Sequence, residues 1–432
     1  MRFGQDHLDR DALDALQTAR LAGLLERLRA SDSRWWHAKL ATAPDEITSL
    51  DQLTDLPFTE KAEFRDAYPW GMLAVPRSHT VRVHASSGTS GSPTIVGYTA
   101  GDLGIFAEVN ARALACAGAG ADDVVQVAYG YGLFTGGLGV HYGVEDLGAT
   151  AVPASGGNPG FQVRLMADLD VTGLACTPSF ALLLAERAAT DGLLERIHLR
   201  WGLHGAEPWS EALRDKLQAA WGGYDACDIY GISEVIGPGV AGECHEEKAG
   251  LHIFEDHFYP EVVDPVTGDR LPDGELGELV VTTLTKEAQP VIRYRTRDLT
   301  RLIPDPCRCG RTLRRIERLS GRVDDMLIIR GVNVYPTAVE SVLLDEPAVG
   351  GQFVLVVDRR GSMAELEARV ELAHAGLAGR RDEVAARLVH RLHEVVRVRV
   401  SVTVLDPGSL PRQELGKARR VFDRTDDADP VG

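Results

Sequence analysis

Three observations predict an α/β fold in two unequal parts. Through the middle of the 432-residue chain, short apolar runs alternate with helix-period stretches, the pattern of parallel strands layered with helices. Short strand signals then dominate residues 250–303. Beyond about residue 324 the order becomes strand, turn, helix, strand, helix, strand, over about a hundred residues, a size suited to an independent α+β domain. Length alone allows about three domains; the pattern assigns two, residues 1–323 and 324–432.

Taken in order, residues 9–29 place Leu13, Leu16, Leu21, Leu24, Leu25 and Leu28 at helical spacing with charges between, and Ser31-Asp32-Ser33 ends the run. Residues 59–63 read as a capped helix start. A strand over 80–84 leads into a Gly/Ser/Thr loop. Strands over 124–128 and 149–153 flank a helix over 137–147, and another helix covers 181–189. Residues 278–284 form the clearest later strand, after the turn Pro272-Asp273-Gly274. Past a boundary at 321–325 come strand 326–329, a turn with Gly331 and Asn333, helix 337–344, strand 352–358, helix 380–395 and strand 398–404. The polar tail after 423 is expected to fray.

With 46 Lys+Arg against 63 Asp+Glu the net charge is −17, which argues against a nucleic-acid binder held by phosphate contacts. No apolar run reaches the roughly 18 residues that span a bilayer, and the first ten residues lack an apolar export core. The expected setting is the cytoplasm, with reduced thiols and no membrane partner. Cys116, Cys176 and Cys227 lie among small or apolar residues and read as core. Cys307-Arg308-Cys309-Gly310 is different, a tight knuckle that can aim two thiolates at one ion. Cys244-His245 and His252 could complete four Cys/His ligands, the donor set of a closed zinc site. Two unrelated thiols and a satisfied histidine would show the same spacing. Lysine occurs at only six positions, 39, 61, 216, 248, 286 and 417.

Five segments carry candidate chemistry. Ser86, Ser87, Gly88, Thr89, Ser90, Gly91, Ser92, Pro93 and Thr94 offer free backbone N–H groups and hydroxyls, as polyphosphate loops do; the Walker spacing is absent, and a flexible linker has the same composition. Asp228 to Glu234 run from an apolar strand into a turn. There Tyr230 could stack on a base, Ser233 bond a phosphate and Glu234 hold Mg2+; a strand end with an acidic cap is the plain alternative. Arg293 to Asp298 end on a carboxylate able to take a ribose diol, or form a solvated surface. Gly321 to Gly331 mark the domain boundary or a linker into a buried strand. Lys417, in the Pro/Gly-bearing stretch 410–417, is either a surface lysine or a fixed cation for charge developing on transferring oxygens.

Together, in this order and spacing, the five segments resemble the adenylate-forming superfamily of acyl-CoA synthetases, nonribosomal adenylation domains and luciferases. The closer likeness, to phenylacetate–coenzyme A ligases, rests on residues 128–139, Gly205-Ala206-Glu207-Pro208-Trp209, Tyr230 to Glu234 with 237–240, residues 251–260, and 284–300. It runs from about residue 10 to about 424. The resemblance implies a large N-terminal adenylate-forming domain and a small mobile C-terminal lid. It implies two steps: a carboxylate attacks the α-phosphorus of ATP, giving acyl-adenylate and pyrophosphate, then a thiol attacks the acyl carbon and releases AMP.

Residue by residue, the resemblance makes Ser86–Thr94 the phosphate loop and sets Gly205, Ala206, Glu207, Tyr230 and Gly231 around adenine. Ser233 meets the α-phosphate, Glu234 helps hold Mg2+, Asp298 takes the ribose hydroxyls and Arg322 reaches the nucleotide. Lys417 bridges carboxylate and α-phosphate, and Asp324 is the hinge about which the lid swivels between steps. Tyr131, Phe134, Gly136, Pro178 and His204 border the acyl pocket. Some relatives carry a structural zinc on a Cys, a His and a Cys-x-Cys pair, implying Cys244, His252, Cys307 and Cys309 here, with His245 the rival ligand.

The sequence departs from the family in two places. Ser92 stands where many relatives have lysine. His204 stands where an apolar aromatic is usual, and a histidine there could bond a ring substituent. The expected substrate is therefore an aryl acid with a polar substituent, such as a hydroxy- or aminobenzoate, or a pyridine carboxylate. Coenzyme A is the expected acceptor, a carrier-protein phosphopantetheine the runner-up, and a nucleotide-binding homologue without catalysis the alternative class. A homodimer is expected from the resemblance alone.

Overall fold

The structure, a computed structural model, describes residues 3–86, 93–361, 364–413, 418–426 and 428–431. A nine-stranded sheet forms its centre. Five of its strands, Val124–Val127, Thr150–Val152, Gly173–Cys176, Trp201–Gly205 and Asp225–Ile232, pair in parallel. Gly173–Cys176 and Trp201–Gly205 are buried at every residue, as a parallel sheet covered on both faces requires. One face packs against the helices Pro159–Asp168, Pro178–Thr190 and Glu211–Ala220 through Val163, Phe180, Leu184 and Leu217. The other packs against Ala100–Cys116 and Thr135–Leu147 through Val109, Leu114, Val140 and Val144.

The N-terminal helix spans Arg10–Ala30, capped by Asp9, which accepts from the Ala12 N–H at 2.8 Å. It buries Leu13, Leu21, Leu24, Leu25 and Leu28, while Leu16 sits at the margin. The short helix Lys61–Asp66 starts from a Glu60/Glu63 capping box. A four-stranded sheet of Phe258–Val263, Gly277–Thr283, Tyr294–Thr300 and Gly321–Arg322 follows the large one.

The C-terminal part is a second four-stranded sheet, Val400–Leu405, Glu365–Leu372, Val349–Asp358 and Val421–Arg424, backed by helices Pro336–Leu344 and Arg381–Val396. Two findings differ from expectation. Glu365–Leu372 is a strand the sequence reading passed over. Strand Val421–Arg424 pairs in parallel with residues 355–358; past 423, where fraying was expected, Arg424 still belongs to this strand and Asp429 accepts from Arg369 at 2.7 Å. Cys116, Cys176 and Cys227 are core residues, as expected. Among the described residues no helix is long and apolar enough to cross a membrane.

Candidate active site and candidate metal centre

The parallel strands aim their C-terminal ends at a cavity of ≈ 490 Å³, the usual position for a ligand in an open α/β sheet. Strand Asp225–Ile232 delivers Ser233 and Glu234 to its wall. Glu234 is 4% exposed; its Oε1 lies 3.4 Å from Lys61 Nζ and accepts no hydrogen bond among the described residues. From behind, the buried Lys286 ammonium donates to the carbonyls of Glu234 at 3.2 Å and Val235 at 2.8 Å. Ser233 Oγ lies 3.4 Å from Thr135 Oγ1. Gly231 has no room for a side chain, since a Cβ there would fall 2.0 Å from the Gly237 carbonyl oxygen.

Beside it a smaller cavity of ≈ 110 Å³ is lined by Ala206, Glu207, Tyr230, Asp298 and Arg322 among others. Tyr230 donates to Asp298 Oδ2 at 2.7 Å, and Arg322 donates to Asp298 Oδ1 at 3.0 Å and to Asp324 Oδ1 at 2.9 Å. Burial, then the Asp298 charge, raises the Tyr230 phenol well above its usual value, so it stays a donor. Ala206 takes the left-handed conformation (φ 68) just past strand Trp201–Gly205. A Cβ on Gly205 would fall 2.3 Å from the Ile229 carbonyl oxygen, so glycine lets the two strands close up.

A second cluster lies apart from the cleft. Cys244, His252, Cys307 and Cys309 present ligand atoms all within 4.8 Å of one another. Cys244 Sγ is 3.5 Å from Cys307 Sγ, and Cys309 Sγ is 3.4 Å from His252 Nε2. Zinc–sulfur bonds of about 2.3 Å give a tetrahedron edge of about 3.7 Å, so the donors fit zinc. His252 Nδ1 lies 3.3 Å from the Leu313 carbonyl, which leaves Nε2 for an ion. Burial would raise the Cys309 thiol, but hydrogen bonds from His252 and the Arg311 region outweigh it and bring it to about 6. His245, the rival, is not in the cluster; it lies against Gly118 and Glu246. A further carboxylate–histidine group, Glu108, Asp256 and His257, is already engaged by the buried Arg112, which lies 2.8 Å from Asp256 Oδ1 and 3.6 Å from Glu108 Oε1.

The AMP-binding enzyme family matches residues 24–285, and the AMP-binding enzyme C-terminal domain matches residues 331–425. The chain is 49% identical over 434 residues to the phenylacetate–coenzyme A ligase of Thermus thermophilus, covering 96% of this chain and 97% of that one. It is 48% identical over 421 residues to that of Escherichia coli, covering 96% and 95%. This chain belongs to the phenylacetate–coenzyme A ligase family. It is an AMP-forming acid–coenzyme A ligase acting on ATP, a carboxylic acid and coenzyme A through an acyl-adenylate. Among solved structures, a 2-hydroxyisobutyryl-CoA ligase in its postadenylation state matches with TM-score 0.90 at 28% identity, covering 98% of this chain and 91% of that one. The same enzyme in its thioesterification state scores 0.72 at 29% identity, covering 97% and 91%.

The ligase's cleft gathers most of the expected residues. Ser86, Phe134, Gly136, Ala206, Gly231, Ser233, Glu234, Arg322 and Asp324 line the larger cavity, and Glu207, Tyr230 and Asp298 the smaller. Thr94 is buried beside Ser86, whose N–H donates to the Thr94 carbonyl at 3.0 Å. Ser87, Gly88, Thr89, Ser90, Gly91 and Lys417 lie outside the described residues.

His204 is a correction. It is fully buried; its Nε2 is 2.7 Å from Tyr224 Oη and its Nδ1 is 3.0 Å from the Cys176 carbonyl. Burial lowers its pKa to about 4, so it is a neutral, satisfied core histidine with no atom left for a substrate. Pro178 opens helix Pro178–Thr190 and is buried outside both cavities, and Tyr131 pairs with His141 Nδ1 at 3.2 Å rather than lining either. Sequence reading missed Lys61 and Arg65, both lining the larger cavity from one face of helix Lys61–Asp66. Their spacing of four in a lysine-poor chain was the available signal. It assigned no role to Lys286 either, one of the six lysines of the chain.

Proposed function

We propose that this ligase activates an aryl carboxylic acid of the arylacetate class and transfers it to coenzyme A. One observation carries the reading. A single cavity joins an apolar wall of Tyr129, Phe134 and Gly136 to a polar wall of Ser233, Glu234, Arg322 and Asp324, so an aryl carboxylate and a nucleotide phosphate can meet there. Close relatives named as phenylacetate–coenzyme A ligases support the choice of acid.

In the first step a carboxylate oxygen attacks the α-phosphorus and pyrophosphate leaves. Asp298, oriented by Tyr230 and Arg322, takes the ribose hydroxyls, and Ser233 meets the α-phosphate. Glu234 Oε1, which accepts no hydrogen bond among the described residues and faces the Lys61 ammonium at 3.4 Å, fits a Mg2+ ligand, and Mg2+ there would offset phosphate charge. Lys417 draws the two anionic reactants together. Lys61 and Arg65, two cations on the wall of the larger cavity, would receive the departing pyrophosphate charge. In the second step the thiol attacks the acyl carbon and AMP leaves, with Asp324 at the hinge between residues 1–323 and 324–432. The zinc reading also belongs here, as a structural clip. So do a homodimer, to be read from solution mass, and a cytoplasmic setting, which six unpaired cysteines fit.

Pyrophosphate release over a panel of aryl acids tests the proposal. Phenylacetate or a close arylacetate is expected to be the best substrate by at least about tenfold in kcat/KM. A hydroxybenzoate, aminobenzoate or pyridine carboxylate in first place would restore the polar-ring reading that His204 no longer supports. Offering coenzyme A and a phosphopantetheinylated carrier protein in parallel decides the acceptor.

A further inference from the structure

Glu207 touches both parts of the molecule. It follows the left-handed Ala206 and lies on the Asp298 side of the cleft. Its Oε1 accepts from Ser179 Oγ at 2.9 Å, in the first turn of helix Pro178–Thr190. The same oxygen accepts from the backbone N–H of Ala418 at 2.5 Å. Ala418 follows Lys417 directly in the chain. Two residues on, Arg420 fixes this segment to the C-terminal sheet: it donates to the Phe353 carbonyl at 3.0 Å and lies 4.6 Å over the Phe353 ring. The carboxylate therefore ties Ala418, the residue after Lys417, to helix Pro178–Thr190 beside the cleft.

The surrounding interface is shaped for the same arrangement. Arg412 bridges Glu371 of the C-terminal sheet, at 2.8 Å, and Glu186 of helix Pro178–Thr190, at 3.4 Å. Lys216 donates to the Val349 carbonyl at 2.7 Å. Gly351 faces Leu182, and a Cβ there would fall 1.9 Å from Leu182 Cδ2. The better match to the postadenylation structure than to the thioesterification structure agrees that these are contacts of the adenylation side of the cycle.

We propose that Glu207 is a positioning residue that docks the Lys417 segment for acyl-adenylate formation and releases it for thioester formation. This rests on the role proposed for Lys417. A carboxylate suits it: it accepts two donors from different parts of the chain, and each bond is strengthened by its charge.

The two half-reactions of the full-length enzyme separate the possibilities. ATP–pyrophosphate exchange with the best acid of the panel reads the first, and thioester formation from supplied acyl-adenylate and coenzyme A reads the second. Glu207→Ala is expected to lower kcat of exchange at least about tenfold, the effect of losing one charge-assisted bond in the transition state. Because Glu207 also lines the smaller cavity, KM for ATP and the rate of thioester formation are expected to move as well, each by a clearly smaller factor than kcat of exchange. Glu207→Gln keeps an acceptor oxygen and should recover most of the exchange. Trypsin should cut Glu207→Ala between residues 417 and 420 faster than wild type in the presence of ATP and acid.

A raised KM for ATP with kcat unchanged would overturn the proposal in favour of a nucleotide contact. Equal losses in both half-reactions would overturn it too. Should Glu207→Ala not fold, Glu207→Asp, with the same charge but one methylene less reach, must show the same split. Gly351→Val, remote from the nucleotide, must show it as well. Unimpaired exchange in Lys417→Ala would remove the reading on which the proposal rests, while the trypsin result still scores the docking by Glu207.

Discussion

A lysine ammonium with 1% exposure is costly unless its donors are used, and Lys286 uses two of them on the carbonyls of Glu234 and Val235. Burial lowers its pKa to about 8, with Asp102 and Glu234 opposing the shift, so near pH 7 it is mostly charged. Its position over the Tyr98 ring at 5.0 Å adds a cation–π contact. Lys286 thus fixes the backbone from which Glu234 reaches the cleft. Lys286→Met keeps the bulk and removes the donors, leaving two buried carbonyls unpaired at about 1–3 kcal/mol each. The expected result is a melting temperature several degrees lower and adenylation at least about tenfold slower. Unchanged adenylation would show that Glu234 is held without it. His204 teaches the converse. Residue type at a motif position pointed to a substrate contact, yet Tyr224, 20 residues later, satisfies the ring.

At the scale of elements, the Cys/His cluster joins the end of strand Gly237–Glu243 and strand Leu251–Ile253 to the turn bearing Cys307 and Cys309. Closing these segments through one ion stabilises by limiting the unfolded chain and by bonding in the folded one. Metal analysis is expected to find one zinc per chain, with Cys309→Ser losing it and melting about 5 °C or more lower. Absence of zinc, with Cys244, Cys307 and Cys309 freely titratable in the native protein, would sink the assignment. Strand Glu365–Leu372 shows where element reading stopped short. Leu366, Ala368, Val370 and Leu372 are buried and alternate with Glu365, Glu367, Arg369 and Glu371, a period-two pattern. It was legible, but its charges resemble a loop, and only pairing with Val349–Asp358 and Val400–Leu405 makes the apolar half worth burying.

At the scale of the whole molecule, the apolar cluster under helix Pro178–Thr190 continues into the C-terminal sheet, so the two parts share packing as well as ion pairs. Glu340 lies in that junction, 7% exposed. Burial pushes its pKa up to about 7, Arg420 opposing and Glu207 adding to the rise. A raised carboxyl pKa means that ionisation is disfavoured in the folded state. Stability is therefore full below the unfolded value of 4.5 and falls as pH rises through about 7. The loss amounts to up to about 3 kcal/mol at pH 8. Glu340→Gln should melt above wild type at pH 8 and match it near pH 4.5. Equal melting at both pH values would show that Glu340 is solvated in solution.

The sequence by itself determined the family, the α/β class and the order of most elements, and it singled out Tyr230, Ser233, Glu234, Asp298 and Arg322, which the fold brings to two adjoining cavities. Those signals are local: an apolar period, a capping pair, a strand running into Tyr230-Gly231-Ile232-Ser233-Glu234. The tertiary structure alone decided which groups are already satisfied and which face the cleft. His204 went into the core, Lys61, Arg65 and Lys286 came to the site, and Glu207 faced Ala418 across 211 residues. The reason is physical. A side chain's chemistry depends on what burial leaves unpaired, and its partners lie far away in the chain, where spacing carries no information.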